Sequence, residues 1–311
     1  MLVVVEPGGR DVDFENGDVG GVHALGIQPR GFKHEIDVFA KQLHVLEHGA
    51  ESLGFVFIRD YDVHFFVYEE KNVIFMNKKY INIFMVNIYI INMKNLVLIT
   101  SVICTPNLPL SYTNNRSTYS HNDRFEQTKK TFETVREKIP NAEIFLVECS
   151  EFTNEQNNYL KSNCKYYLNL IGTIHKNNVY GKSKSLGEGT MTICALECII
   201  NNNIEYDNLI KISGRYWLSE RFDYTKFKND DIVVKYINDD INNGFTALYK
   251  LPKNEVKSLL DFLVNNISSM YACVGYEILF ASYLKTKNLV VNVNPIGLAG
   301  YVSVSSDYYD G

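Results

Sequence analysis

Leu96-Val97-Leu98-Ile99-Thr100-Ser101-Val102-Ile103 is an unbroken apolar and β-branched run with no polar alternation. A strand with one wet face alternates apolar and polar residues. A continuous run of this kind instead marks a strand buried on both faces, as in a parallel sheet covered by helices on either side. Working outward, a polar loop with Pro106, Asn107, Pro109, Asn114 and Asn115 follows. Ser120 and Asp123 then have the spacing of a helix capping box, with Asp in place of the usual Glu or Gln. Phe125, Thr128, Phe132, Val135 and Ile139 recur at three and four, one face of a helix that Pro140 ends.

The alternation continues. Residues 143–147 (EIFLV) read as a second buried strand, 153–162 as a short polar helix, and 166–170 as a third strand. Ser185 opens a helix with Met191, Cys194, Ala195, Cys198 and Ile199 as its buried stripe, and residues 209–212 form a fourth strand. The remainder is more mixed, with strands expected at 231–236, 245–251 and 289–293 and helices at 254–263 and 275–284. Strands alternating with helices predict an α/β fold with a mostly parallel central sheet and helices on both faces.

The composition changes early in the chain. Residues 1–72 contain two asparagines, Asn16 and Asn72, but five of the seven histidines and nine of the nineteen glycines. Beyond them the chain is rich in Asn, Lys, Ile and Tyr. Such a break divides an N-terminal extension, residues 1–92, from an α/β domain, residues 93–311. The extension reads as a small β-rich unit, a disordered segment, or upstream sequence preceding a true start at Met93; the last is favoured because Met93-Lys94-Asn95 leads straight into a strand. Residues 55–58 and 64–68 are strand candidates within it. His23, His34, His44 and His48 lack an accompanying carboxylate pattern and are not read as a metal site.

The opening Met-Leu-Val-Val-Val-Glu-Pro has neither the basic nor the long apolar region of a secretory leader. Lys94 and several asparagines interrupt the apolar stretch 80–104, so a membrane anchor is not expected. The six cysteines are scattered without a CxxC pair, which suits buried thiols in a reducing, cytoplasmic setting. A net charge of −5 carries no basic footprint, so nucleic acid is not expected as a partner.

In open α/β sheets, ligands sit at the carboxyl ends of the strands. Four groups of residues lie there. Arg116, Ser117, Tyr119 and Arg124 follow the first strand and are candidates to frame a base or sugar. Tyr180-Gly181-Lys182-Ser183-Lys184-Ser185-Leu186-Gly187-Glu188-Gly189 places Lys182, Lys184 and Gly187 at a helix N-terminus, where free N–H groups and the positive helix end attract anions. The spacing is not that of a P-loop. Lys211-Ile212-Ser213-Gly214-Arg215-Tyr216-Trp217 ends the fourth strand, with Arg215 a donor to phosphate or carboxylate, Gly214 a site of close approach, and Tyr216 a flat surface. Glu277, in an apolar run, is a candidate general base; desolvation there would raise its pKa.

Taken in order, LVLITSVI, RFEQTKKTFETVREKIPNAEIFLVE, GKSKSLGEG, KISGRYWL and IGLAGYVSVS resemble glycosyltransferases of the GT-A type found in bacterial polysaccharide clusters and large DNA viruses. The resemblance covers residues 93–311. It implies a GT-A-like nucleotide-diphosphosugar-binding sandwich, a nucleotide sugar as donor, and a glycan or other hydroxyl as acceptor. On a glycosyltransferase reading Glu277 is the base, and Lys182, Lys184, Gly187, Ser213, Gly214, Arg215, Tyr216, Arg116 and Arg124 are the candidate donor-binding residues. The departure is at the fourth strand end, where the family carries an Asp-x-Asp metal motif and this chain has Ser213-Gly214-Arg215. Dependence on Mg²⁺ or Mn²⁺ is therefore left open, with the basic side chains able to stabilise a departing diphosphate as a metal would. A nucleotide- or sugar-binding module without chemistry is the alternative.

Overall fold

The computed structural model describes residues 93–311 throughout, and before them the strands β1 (Val3–Val4), β2 (Ser52–Arg59), β3 (Asp62–Glu69) and β4 (Asn72–Met76). The chain divides into two compact units, Met1–Gly8 with Tyr89–Gly311, and Gly9–Ile88. In the second unit β2, β3 and β4 form an antiparallel sheet, with Ser52 opposite Glu69 and Glu69 opposite Asn72. Both strand candidates of the N-terminal region lie within β2 and β3. The histidines at 23, 34, 44 and 48, and residues 80–92 of the apolar stretch, lie outside the described residues. Among the described residues no helix is long and apolar enough to cross a membrane.

The first unit is an α/β sandwich. Its elements run β5 (Asn95–Ser101), α1 (His121–Lys138), β6 (Ala142–Glu148), α2 (Asn154–Ser162), β7 (Tyr166–Asn169), α3 (Lys176–Tyr180), α4 (Lys184–Asn201) and β8 (Asn208–Ser213). They continue with β9 (Tyr216–Leu218), β10 (Ile232–Val234), β11 (Leu248–Pro252), α5 (Val256–Asn265), α6 (Ile267–Tyr271), α7 (Tyr276–Leu284), β12 (Val290–Asn292), β13 (Leu298–Tyr301) and β14 (Tyr308–Asp310). The main sheet has the order β1-β7-β6-β5-β8-β11-β10-β12. Its centre, β7-β6-β5-β8, is wholly parallel, and β10 pairs parallel with β12. β11 runs antiparallel to both neighbours, and β1 closes the far edge antiparallel to β7.

The apolar run that opens the domain sits at the middle of this sheet. Leu96 and Leu98 point to one side, against Leu186, Ala195 and Ile199 of α4; Val97 and Ile99 point to the other, with Phe125, Phe132 and Val135 of α1. Every residue of β5 is buried. α1 begins as its sequence requires: Ser120 Oγ accepts from the Asp123 N–H, the Asp123 carboxylate accepts from the Ser120 N–H, and Arg136 and Lys138 complement the carbonyl end. α4 starts at Lys184, one residue before the Ser185 expected to open it, with Ser183 as its cap.

The first strand leaves the sheet after Ser101, two residues before the apolar run ends, because Ile103 turns its N–H to the Glu148 carboxylate instead of to a neighbouring strand. A second, three-stranded antiparallel sheet, β14-β13-β9, has no counterpart in the sequence reading. It grows directly from β8. Gly214 and Arg215 reverse the chain, and β9 then pairs with β13, Gly300 lying opposite Tyr216. A Cβ at Gly300 would lie 2.5 Å from the Tyr216 ring, so only glycine permits this pairing.

Leu98→Ala removes a fully buried side chain at the centre of the sheet. The expected cost is about 2–5 kcal/mol, read from the shift in urea midpoint at unchanged m-value.

Candidate functional site

β5 is the first strand of the sandwich; β6 and β7 are added on one side of it and β8 on the other. The strand order thus reverses between β5 and β8, and the crevice of such a sheet opens over the carboxyl ends of these two strands. Gly214 sits in it. Its N–H donates to Thr100 O at 2.8 Å, and a Cβ there would lie 2.7 Å from the Ser101 side chain. Arg215 follows with φ +84°, a conformation costing about 1–3 kcal/mol for a non-glycine residue. The Thr131 hydroxyl holds this turn, accepting from the Arg215 N–H at 3.3 Å and donating to Tyr216 O at 2.6 Å.

The start of α4 opens a cavity of about 290 Å³ lined by Ser111, Tyr112, Lys184, Glu188, Tyr276 and Glu277, among others. Lys184 Nζ stands 3.9 Å from Glu277 Oε1, so the start of α4 and the start of α7 meet here. Desolvation works against charge on Lys184, but the Glu188 and Glu277 carboxylates outweigh it and raise its pKa above the ordinary lysine value.

Glu188, one turn further along α4, connects the cavity to β8. Its Oε1 accepts from Lys211 Nζ at 2.7 Å, and the same ammonium donates to Ser213 Oγ at 2.8 Å and Thr246 O at 2.6 Å. Lys211 is completely buried. Burial alone would raise the Glu188 pKa, but Lys211 and then Lys184 reverse that and hold it below the usual carboxylate range. The glycine-lysine motif and the KISGRYWL motif are therefore joined by a buried ion pair. Tyr216 feels both sides of the junction: burial raises its phenol pKa, while Arg215 and Lys184 lower it.

The other predicted residues take distinct places. Lys182 has an exposed side chain and uses its carbonyl to accept from the Ser111 N–H. Gly187 lies a turn into α4 against the Val179 backbone, where a Cβ would come to 3.1 Å from Val179 O. Ser213 is engaged by Lys211. Arg116 donates to the carbonyls of Leu108, Val179, Tyr180 and Gly181, and so ties the loop after β5 to the end of α3. Arg124 is buried and donates to the carbonyls of Val102 and Ile103 and the hydroxyls of Ser117 and Ser303. Burial and then the neighbouring Arg215 guanidinium lower its pKa to about 9, with Glu148 opposing them.

Glu148, at the end of β6, did not stand out in the sequence. One of its oxygens accepts from the N–H groups of Ile103 and Cys149 and from Ser150 Oγ. Burial raises its pKa to about 7 against these hydrogen bonds. The signals for Glu148 and Lys211 were present but quiet: each is a lone charge inside or ending an otherwise apolar strand, a position charges occupy only when paired.

Ser213-Gly214-Arg215 do not fit a divalent cation, because the hydroxyl already receives Lys211 and the guanidinium repels a metal. Among the described residues no three His, Cys, Asp or Glu side chains converge.

No protein-family model matches the chain, and no curated protein matches it. Among solved structures it is similar to the apo-form glycosyltransferase GlyE of Streptococcus pneumoniae TIGR4, at 11% identity and a TM-score of 0.39. The likeness covers 64% of this chain and 45% of that one, so the chain spans less than half the length of that protein. A likeness this loose carries no argument about chemistry.

Two outcomes follow from the buried charges. Lys211→Met leaves Glu188 without its partner and is expected to cost about 3–5 kcal/mol, whereas Lys211→Met with Glu188→Met costs less than the sum of the single changes; a double-mutant cycle in urea measures the difference. Glu148 binds its proton more tightly folded than unfolded. Its contribution to stability is complete below the ordinary pKa of 4.5 and is lost as pH rises toward about 7. Denaturation at pH 5 and pH 8 is expected to show a decline of up to about 1.4 kcal/mol per pH unit across that window, absent in Glu148→Gln.

Proposed function

We propose that the chain is a glycosyltransferase that moves a sugar from a nucleotide-diphosphate donor to an acceptor hydroxyl. The observation that carries this reading is the meeting of Lys184 and Glu277 in one cavity at the carboxyl edge of the parallel sheet. A cation at a helix start and a carboxylate within reach of the same space are the two groups that such a transfer needs.

The donor's diphosphate lies over the first turn of α4, whose free N–H groups and Lys184 ammonium stabilise the charge that develops on the departing oxygen. Glu277 accepts the proton of the acceptor hydroxyl. The acceptor oxygen forms its bond to the anomeric carbon as the bond from that carbon to the phosphate oxygen breaks, and the electron pair leaves with the diphosphate. The Lys184–Glu277 contact, at 3.9 Å, holds the two groups facing the same space. Arg215 supplies a second cation beside Tyr216. Arg116 and Arg124 act at one remove, as positioning residues that hold the loop after β5. Gly214 lets the exit of β8 approach Ser101, and Gly187 lets α4 lie close against α3.

The test is a panel of UDP- and GDP-sugars offered to the full chain, with and without Mn²⁺, reading transfer and hydrolysis. Lys184→Ala is expected to weaken UDP or GDP binding by about 10- to 100-fold, the loss of one charge-assisted hydrogen bond. Glu277→Gln is expected to keep binding and lower turnover by about 10²- to 10⁴-fold. Nucleotide binding without turnover in the unaltered chain would favour a binding module, a reading supported by Ser213-Gly214-Arg215 at the end of β8. Absence of both binding and turnover with every donor overturns the proposal.

A further inference from the structure

A second recess lies outside the proposed donor site. The loop between β5 and α1 encloses about 400 Å³, lined in part by Asn107, Asn114, Asn115, Ser117, Tyr119 and Ser120. The lining is dominated by amides and hydroxyls. Its one guanidinium, Arg116, is committed to four backbone carbonyls. The side chains of Asn107 and Asn114 have no hydrogen-bond partner among the described residues. Apart from His121, which also lines the recess, a phosphate or carboxylate entering here would meet no cationic side chain with its donors uncommitted.

The edge of the recess is aromatic. The Tyr119 ring stands 5.8 Å from Tyr301, which stands 5.3 Å from Tyr308. Tyr301 is 36% exposed and Tyr308 57% exposed, so this aromatic ledge reaches solvent. The ledge is fastened to the recess. The Thr118 N–H donates to Ser303 O at 2.8 Å, Thr118 and Ser306 share a hydroxyl hydrogen bond of 2.6 Å, and Ser303 Oγ donates to Arg116 O at 3.0 Å. Buried Trp217 supports it from below, 5.8 Å from Tyr301 and 6.4 Å from Tyr308, with Lys130 Nζ 3.8 Å from its ring centre.

Flat rings suit a ligand with an apolar face, and uncharged amides and hydroxyls suit one rich in hydroxyls. We propose that this recess and its tyrosine ledge bind a neutral carbohydrate chain. The assignment of that chain as the transfer acceptor rests on the function proposed above; the binding itself does not.

Trp217 is the chain's only tryptophan and lies under the ledge, so its fluorescence reports occupancy. The full chain is titrated with maltohexaose, cellohexaose and chitohexaose to millimolar concentration. A saturable change with at least one of them is expected. Tyr301→Ala with Tyr308→Ala is expected to weaken it by at least about tenfold at unchanged melting temperature, while the paired Phe variants, which keep the ring faces, retain it. No saturable change with any of the three, or a change indifferent to the alanine pair, overturns the proposal. UDP and GDP form the control arm. Oligosaccharide binding with no nucleotide binding leaves this site standing and removes the donor site; nucleotide binding that requires Lys184, with no oligosaccharide binding, does the reverse.

Discussion

The domain is organised around one buried cation. Lys211 lies within β8 with no exposure to solvent, in a sheet interior that is mostly apolar. Taking an ammonium out of water costs several kcal/mol unless its donors are met. Here all three are met, by Glu188 Oε1, Ser213 Oγ and Thr246 O, each within 2.8 Å. The three acceptors come from α4, from the end of β8, and from the segment leading into β11. One side chain therefore sets the position of the start of α4 relative to the Gly214–Arg215 turn. Had an apolar residue stood there, α4 could slide against the sheet at little cost, and Lys184 would lose its fixed relation to the crevice.

Lys250, on the adjacent strand β11, shows the other way of burying an ammonium. It is equally buried, but its Nζ donates to the carbonyls of Asn229 and Asp231 rather than to a carboxylate. Burial pushes its pKa down to about 8, with Asp230 and Asp231 opposing. Carbonyl dipoles solvate a cation less completely than a carboxylate does. Lys250 ties the loop before β10 to the sheet; Lys211, with a carboxylate partner, ties α4 to β8.

Arginine is used for a third purpose. Arg116 and Arg124 spend most of their donors on carbonyls, joining the loop after β5 to the end of α3, to the exit of β5, and through Ser303 to the C-terminal sheet. A planar guanidinium can gather several carbonyls at once, which a lysine cannot. Loops at the carboxyl edge carry function because they are free of the sheet ladder, yet chemistry needs them held. These two side chains supply the restraint from within.

The sequence by itself determined the sandwich: residues 96–103 and 144–147 are too continuously apolar to have a wet face, and the periodic helices between the strands had to cover both sides. It also marked the α1 cap at Ser120, the anion-attracting start of α4, and the carboxylate at Glu277, since each is a local pattern of neighbouring residues. It did not reveal β9, β13 and β14, because strands of three or four residues are too short to carry a period and gain their stability from partners distant in the chain. Only the tertiary structure decided that Arg116 and Arg124 hold loops, that Glu148 and Lys211 are the buried charges, and that Lys184 meets Glu277. The physical reason is that a charged residue has no intrinsic role. Its role is set by which partner lies within about 4 Å, and the deciding partners include one 23 residues away for Lys211 and one 179 residues away for Arg124.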